Sequence, residues 1–137
     1  MEKFEKFVNE RLVADLREAE KRRDEIVCEM GEYESLSVAL QKISQSKLDH
    51  LTTRVNMGKN MFMHAKVDDV STVIVKLSQD LYAPLPIERA SEFISKRLSL
   101  LNDRAIHAEE SICRVKATID AMLSGMKEYK SIQQSPH

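Results

Sequence analysis

The stretch "MFMHAKVDDVSTVIVKL", residues 61–77, decides how the rest of the chain is read. Met61, Met63, Ala65 and Val67 alternate with Phe62, His64 and Lys66, and after Asp68-Asp69 the period of two resumes at Val73, Val75 and Leu77. Successive side chains of an extended backbone point to opposite sides, so each run is a strand with one apolar face. Asp68-Asp69 between them reads as a turn rather than a metal site, because short acidic side chains bond readily to nearby backbone. The stretch therefore supplies the last strand of one hairpin and the first strand of the next. Upstream, "TTRVNM" sets Val55 and Met57 on one face against Arg54 and Asn56, and Gly58-Lys59-Asn60 provides a turn. Downstream, Ser78-Gln79-Asp80 turns the chain into "LYAPLP". Pro84 has no N–H to give a ladder, which makes that fourth strand short or an edge, while Pro86 suits the first turn of a helix beginning near Ile87.

Outside residues 51–86 the spacing changes to that of helices. Leu12, Leu16, Ala19, Arg23, Ile26, Met30, Tyr33, Ser37 and Leu40 step by fours and threes, the seam of a helix lying along another helix. Ile94, Leu98, Leu101, Ala105, Ala108, Ile112, Val115, Ile119, Met122, Met126 and Tyr129 keep the same alternation without a break. Arg23 in the first seam reads as a snorkelling side chain, its stem on the seam and its charge in water. Pairs such as Glu18 with Arg22, Glu92 with Lys96 and Glu110 with Arg114 belong to a solvated outer face. No proline interrupts residues 4–47 or 87–133. The spacing predicts two helices over those ranges, each roughly 60 to 70 Å long at about 1.5 Å per residue. Joined by about 40 residues, they most simply fold back as an antiparallel hairpin. The expected fold class is α+β: a long antiparallel helical coiled-coil hairpin with two central β-hairpins, read as a single unit over residues 1–137.

Composition supports helices over a compact catalytic domain: 31% of residues are charged, only 5% are aromatic, and there is no Trp. The 21 basic and 22 acidic residues are mixed along the chain, which argues against a nucleic-acid surface. No apolar run approaches the ~20 residues of a membrane span. The amino terminus lacks a signal-peptide core, and Cys28 and Cys113 stand singly, so an intracellular protein with reduced thiols is expected. His50, His64, His107 and His137 are scattered, and none has a second ligand at metal spacing. With no phosphate loop and no nucleophile motif, neither a catalytic residue, a metal nor a cofactor is expected.

Two hairpins are too little to bury their own apolar faces or satisfy their own edges. Val55, Met57, Met61, Met63, Val67, Val73, Val75 and Leu77 are therefore expected to be buried by neighbouring subunits; the alternative reading is a core closed within one chain, for which two hairpins offer too little. At the opposite end of the helical hairpin both termini meet. Phe4, Phe7 and Val8 there join Met122, Met126, Tyr129 and Ile132 as candidates for holding a client or partner, since methionine adapts to varied surfaces. For Met122, Met126 and Tyr129 the alternative reading is ordinary seam packing.

Helix, two hairpins and helix, with "AKVDDVSTVIVKL" at the hairpin junction and "IERASEFISKRLSLL" opening the second helix, resembles the α-type prefoldin family over nearly the whole chain. The helix ends "EKFVNERLVADLREAEKRRDEIV" and "IDAMLSGMKEYKSIQQ" resemble a prefoldin-like branch of it. Where α-type subunits commonly carry a Gly-rich turn before the last strand, this chain has Ser78, Gln79 and Asp80. The resemblance implies a hexamer with a β-barrel body and projecting coiled-coil tentacles, assembled with other prefoldin-type subunits, especially β-type. It implies that unfolded or assembling client proteins are held without nucleotide hydrolysis and passed to a chaperonin. For the prefoldin-like branch it implies instead a cochaperone assembly with RuvB-like ATPases, and transcriptional co-regulation, in cytoplasm and nucleus. The alternative to a holding role is a coiled-coil adaptor that binds folded partners.

Overall fold

The computed structural model describes residues 2–134. Helix α1 (Glu2–Phe7) leads through a π-helical turn (Val8–Leu12) into α2 (Val13–Ser46). Strands β1 (Leu51–Gly58), β2 (Met61–Val67), β3 (Thr72–Ser78) and β4 (Leu81–Pro86) follow, and α3 runs over Ile87–Gln134. The expected helix, two hairpins and helix is the observed order, with the first helix interrupted by the π-helical turn. The chain divides into two compact units, one formed by the residues up to Met30 with those from Leu100 onward, the other by Gly31–Ser99.

In the first unit α1 and the start of α2 run antiparallel to the end of α3, as the ion pairs show: Lys130 with Glu5 of α1, and Lys116 with Glu20 and Glu109 with Arg23 of α2. Val8, Leu101 and Ile112 are buried there. Every predicted seam residue of both helices is buried or half-buried except Tyr129. Arg23 keeps its seam position because its guanidinium reaches Asp24 at 3.1 Å and crosses to Glu109 at 3.3 Å. Those carboxylates, Asp24 first, raise its pKa further above the ordinary arginine value. Two features lie outside the sequence expectation. The π-helical turn is closed by the Val13 N–H donating to the Val8 carbonyl, and Val8 is only 2% exposed.

The second unit contains both hairpins. Leu40 of α2 with Ala90 and Ile94 of α3 forms its core, and Tyr33, Val73, Val75, Leu85, Ile87, Phe93 and Leu98 pack against it. Each well-buried aliphatic side chain here is worth about 1.5–3 kcal/mol. β1 pairs antiparallel with β2, and β3 with β4, as two separate two-stranded sheets. The first turn places Lys59 and Asn60 at positive φ after Gly58 at φ +92°, the combination that matches the twist of a two-residue hairpin loop. The register shift at Asn56/Gly58 leaves Met57 unpaired, and the Gly58 N–H is bonded by Asn56 Oδ1 at 2.9 Å. The second turn, at Gln79 and Asp80, needs no positive φ. Pro84 lies opposite Ile74 and Pro86 opposite Thr72, on a strand whose other edge carries no partner, where missing N–H groups cost nothing. Between the hairpins the Asp69 carboxylate accepts from the Ser71 N–H at 2.9 Å and its hydroxyl at 2.6 Å. The Ser71 hydroxyl, then its N–H, holds that carboxyl below its ordinary value. The Ser71 carbonyl in turn receives the Ile87 N–H at 3.2 Å, tying the junction to the start of α3.

Candidate functional site

Two surfaces have the chemistry for binding, one in each unit. The first is a face of β1–β2. Leu51 opposes Val67, Thr53 opposes Ala65 and Val55 opposes Met63, so the period of two puts these side chains on one side. Val55, Met57, Met61, Met63 and Val67 are all exposed, Met61 at 63% and Met63 at 59%. The opposite side carries Thr52, Arg54, Asn56, Phe62, His64 and Lys66, with the Arg54 guanidinium 4.9 Å from the Phe62 ring centroid. A polar, cation–π-braced side and a bare apolar side is the pattern of a strand pair with one face prepared for burial.

The equivalent face of β3–β4 is built differently, and here the structure corrects the sequence reading. Val73 and Val75, expected to wait for neighbouring subunits, pack with Leu85 onto the chain's own Leu40–Ala90–Ile94 core. The helices that emerge next to this hairpin supply the cover that two strands alone cannot. Ile74, on the opposite side of β3 from Val73 and Val75, is 76% exposed, the highest value for a large apolar side chain among the described residues. Leu77 stays exposed, at the register shift between Lys76 and Ser78, where it has no partner on β4.

The second surface lies at the ends of the helices in the first unit. Phe4, Met122, Gly125, Met126 and Tyr129 line an open, largely apolar groove of about 390 Å³. Four of the seven predicted tip residues, Phe4, Met122, Met126 and Tyr129, are thus brought together. Phe7 is exposed outside the groove lining, as is Ile132. Val8 is a correction: it is buried and serves packing, so it is not available to a client. Gly125 was missed as a groove residue; a Cβ there would meet no atom within 4 Å, so its contribution is open space. The signal for the buried Val8 was in the spacing, since Val8, Leu12 and Leu16 step by four and four where a regular seam alternates, and a π turn absorbs the extra residue.

Among the described residues no helix is long and apolar enough to cross a membrane, and no group of three His, Cys, Asp or Glu could hold a metal ion. Cys28 and Cys113 are free and exposed.

Two long helices flanking two consecutive β-hairpins, one of them bare on its apolar side, define a prefoldin-type subunit. The sequence profile of the prefoldin subunit family matches residues 12–130, and the chain belongs to that family. Within it the chain is UXT-like. It is 29% identical to a Protein UXT homolog of Nematostella vectensis, over 98% of this chain and 86% of that protein. It is 27% identical to human Protein UXT, over 98% of this chain and 85% of that protein. A homolog from Dictyostelium discoideum is 26% identical over 95% of this chain and 81% of its own length. Among solved structures, filamentous PFD from Methanocaldococcus jannaschii superposes with a TM-score of 0.72 over 86% of this chain and 97% of that one. At 17% identity that likeness is one of fold.

Proposed function

We propose that the chain is a non-catalytic subunit of a prefoldin-type hetero-oligomer, joined to other prefoldin-type subunits, β-type above all, through the bare face of β1–β2, and that it holds non-native clients in the groove at its helix ends. The observation that carries this reading is the asymmetry of the hairpins: β3–β4 is covered by its own helices, while β1–β2 leaves Val55, Met61, Met63 and Val67 uncovered. A long apolar strand face left to water is an aggregation site unless another chain completes it. The holding role rests on the groove, whose methionines conform to side chains of different shape and whose open form sequesters a segment without enclosing a fold.

The test is suppression of aggregation of a heat-unfolded enzyme by the full chain in complex with β-type prefoldin subunits. Met122→Ser with Met126→Ser, and separately Phe4→Ala, should weaken suppression several-fold with the mass of the complex unchanged. Phe7→Ala, outside the groove, should matter less. A complex that binds a folded partner tightly and never suppresses aggregation would instead support the adaptor role.

A further inference from the structure

The groove is built unevenly. Met122, Gly125, Met126 and Tyr129 all sit on α3, a continuous helix of 48 residues, whereas Phe4 comes from α1, a helix of 6. α1 buries no residue of its own. It is joined to α2 by the π-helical turn, where the bond from the Val13 N–H to the Val8 carbonyl spans five residues. Such turns are short and less favourable than the α-helix, and helices bend at them. Val8, buried within that turn, fixes one end of the bend. The other end is tied by the ion pair of Lys130 with Glu5. Each partner is the immediate neighbour of a groove residue, Glu5 of Phe4 and Lys130 of Tyr129. Both are accessible to solvent, and an exposed ion pair is weak and screened by salt, so it holds without locking.

We propose that α1 is a hinged wall of the tip groove, latched by Glu5 on Lys130 and pivoting at the π-helical turn, so that opening the latch widens the groove for a bulky apolar side chain. The nature of the occupant rests on the holding role proposed above; the hinge does not. The hydrogen bond from Lys130, then its charge, keeps the Glu5 carboxyl below its ordinary value, as a formed latch requires. Gly125 gives the incoming side chain room on the wall that stays in place.

The experiment uses the full chain with Cys28 and Cys113 replaced by Ser and spin labels on Lys3→Cys and Lys127→Cys, both exposed positions. The distance between labels is measured by pulsed electron resonance, and groove access by fluorescence of anilinonaphthalene sulfonate. Glu5→Lys alone and Lys130→Glu alone should lengthen and broaden the distance distribution and raise dye binding at least two-fold. The combined exchange, which restores opposite charges, should return both readouts to the parent values. Single variants that leave the distance unchanged, or a combined exchange that fails to restore it, would overturn the latch. A distance that responds while capture of the heat-unfolded enzyme stays constant would uphold the hinge and count against the holding role.

Discussion

The two β-hairpins are near twins in length and connectivity, yet one is finished within the chain and the other is not. β3–β4 turns Val73, Val75 and Leu85 onto Leu40, Ala90 and Ile94, while β1–β2 turns Val55, Met61 and Met63 to solvent. An isolated two-stranded sheet is marginal in water, so each hairpin needs a third layer. For β3–β4 that layer is α2 and α3. For β1–β2 no described element supplies it, so one hairpin is anchored within its unit and the other is bare on its apolar side, the face through which we propose that the subunit joins its neighbours.

Three perturbations sharpen the contrast, in descending order of expected effect. Val73→Asp with Val75→Asp forces two charges against an apolar core and should cost the isolated chain about 4 kcal/mol or more, visible as loss of the cooperative urea transition. A small effect there would mean that the hairpin is not anchored as described. Gly58→Ala places a side chain at φ +92° and should cost about 1 kcal/mol. The corresponding change in the other hairpin, Ser78→Ala, at the position that faces Leu81 as Gly58 faces Met61, meets no such constraint and should stay within about 0.5 kcal/mol. Equal costs in the two turns would break the distinction between them. The smallest effect belongs to the junction. Asp69 is depressed by Ser71 below its ordinary value of 3.8, so its stabilisation is complete above that pH and is lost as pH falls through the lower folded value. Unfolding titrations of the parent and Asp69→Asn should therefore diverge above pH 3.8 and converge in stronger acid. Parallel curves down to the acid limit would show that the Ser71 contacts contribute nothing.

Much of this architecture is legible in the residues, and what was missed has a common physical cause. Periodicity gave the strands at residues 61–67 and 72–78 and both helical seams, because each is a local consequence of which side of an element must be dry. It could not say what covers a dry face. Val73 and Met63 both satisfy the same alternation, yet Val73 meets the chain's own helices and Met63 meets none. Alternation also does not announce a register shift, and one in each hairpin leaves Met57 and Leu77 without a partner on the facing strand. At the tip, methionines and aromatics were found by their chemistry, whereas Gly125 contributes by lacking a side chain and gives composition nothing to read. Arg23 was read as a snorkelling side chain with its charge in water, and its partner Glu109, distant in sequence, leaves no signal in the local spacing.

The most direct measurement is the native mass of the chain mixed with β-type prefoldin subunits, made in parallel with Val55→Lys combined with Met63→Glu, opposite charges on two residues that face each other across the strand pair. Because both positions are exposed, the double variant alone should keep its urea midpoint, with stability changed by no more than about 0.5 kcal/mol. The parent should enter a discrete mixed oligomer and the variant should not. A variant that assembles as well as the parent, with the same mass and the same partners, would contradict the assignment of β1–β2 as the face that joins this subunit to its neighbours.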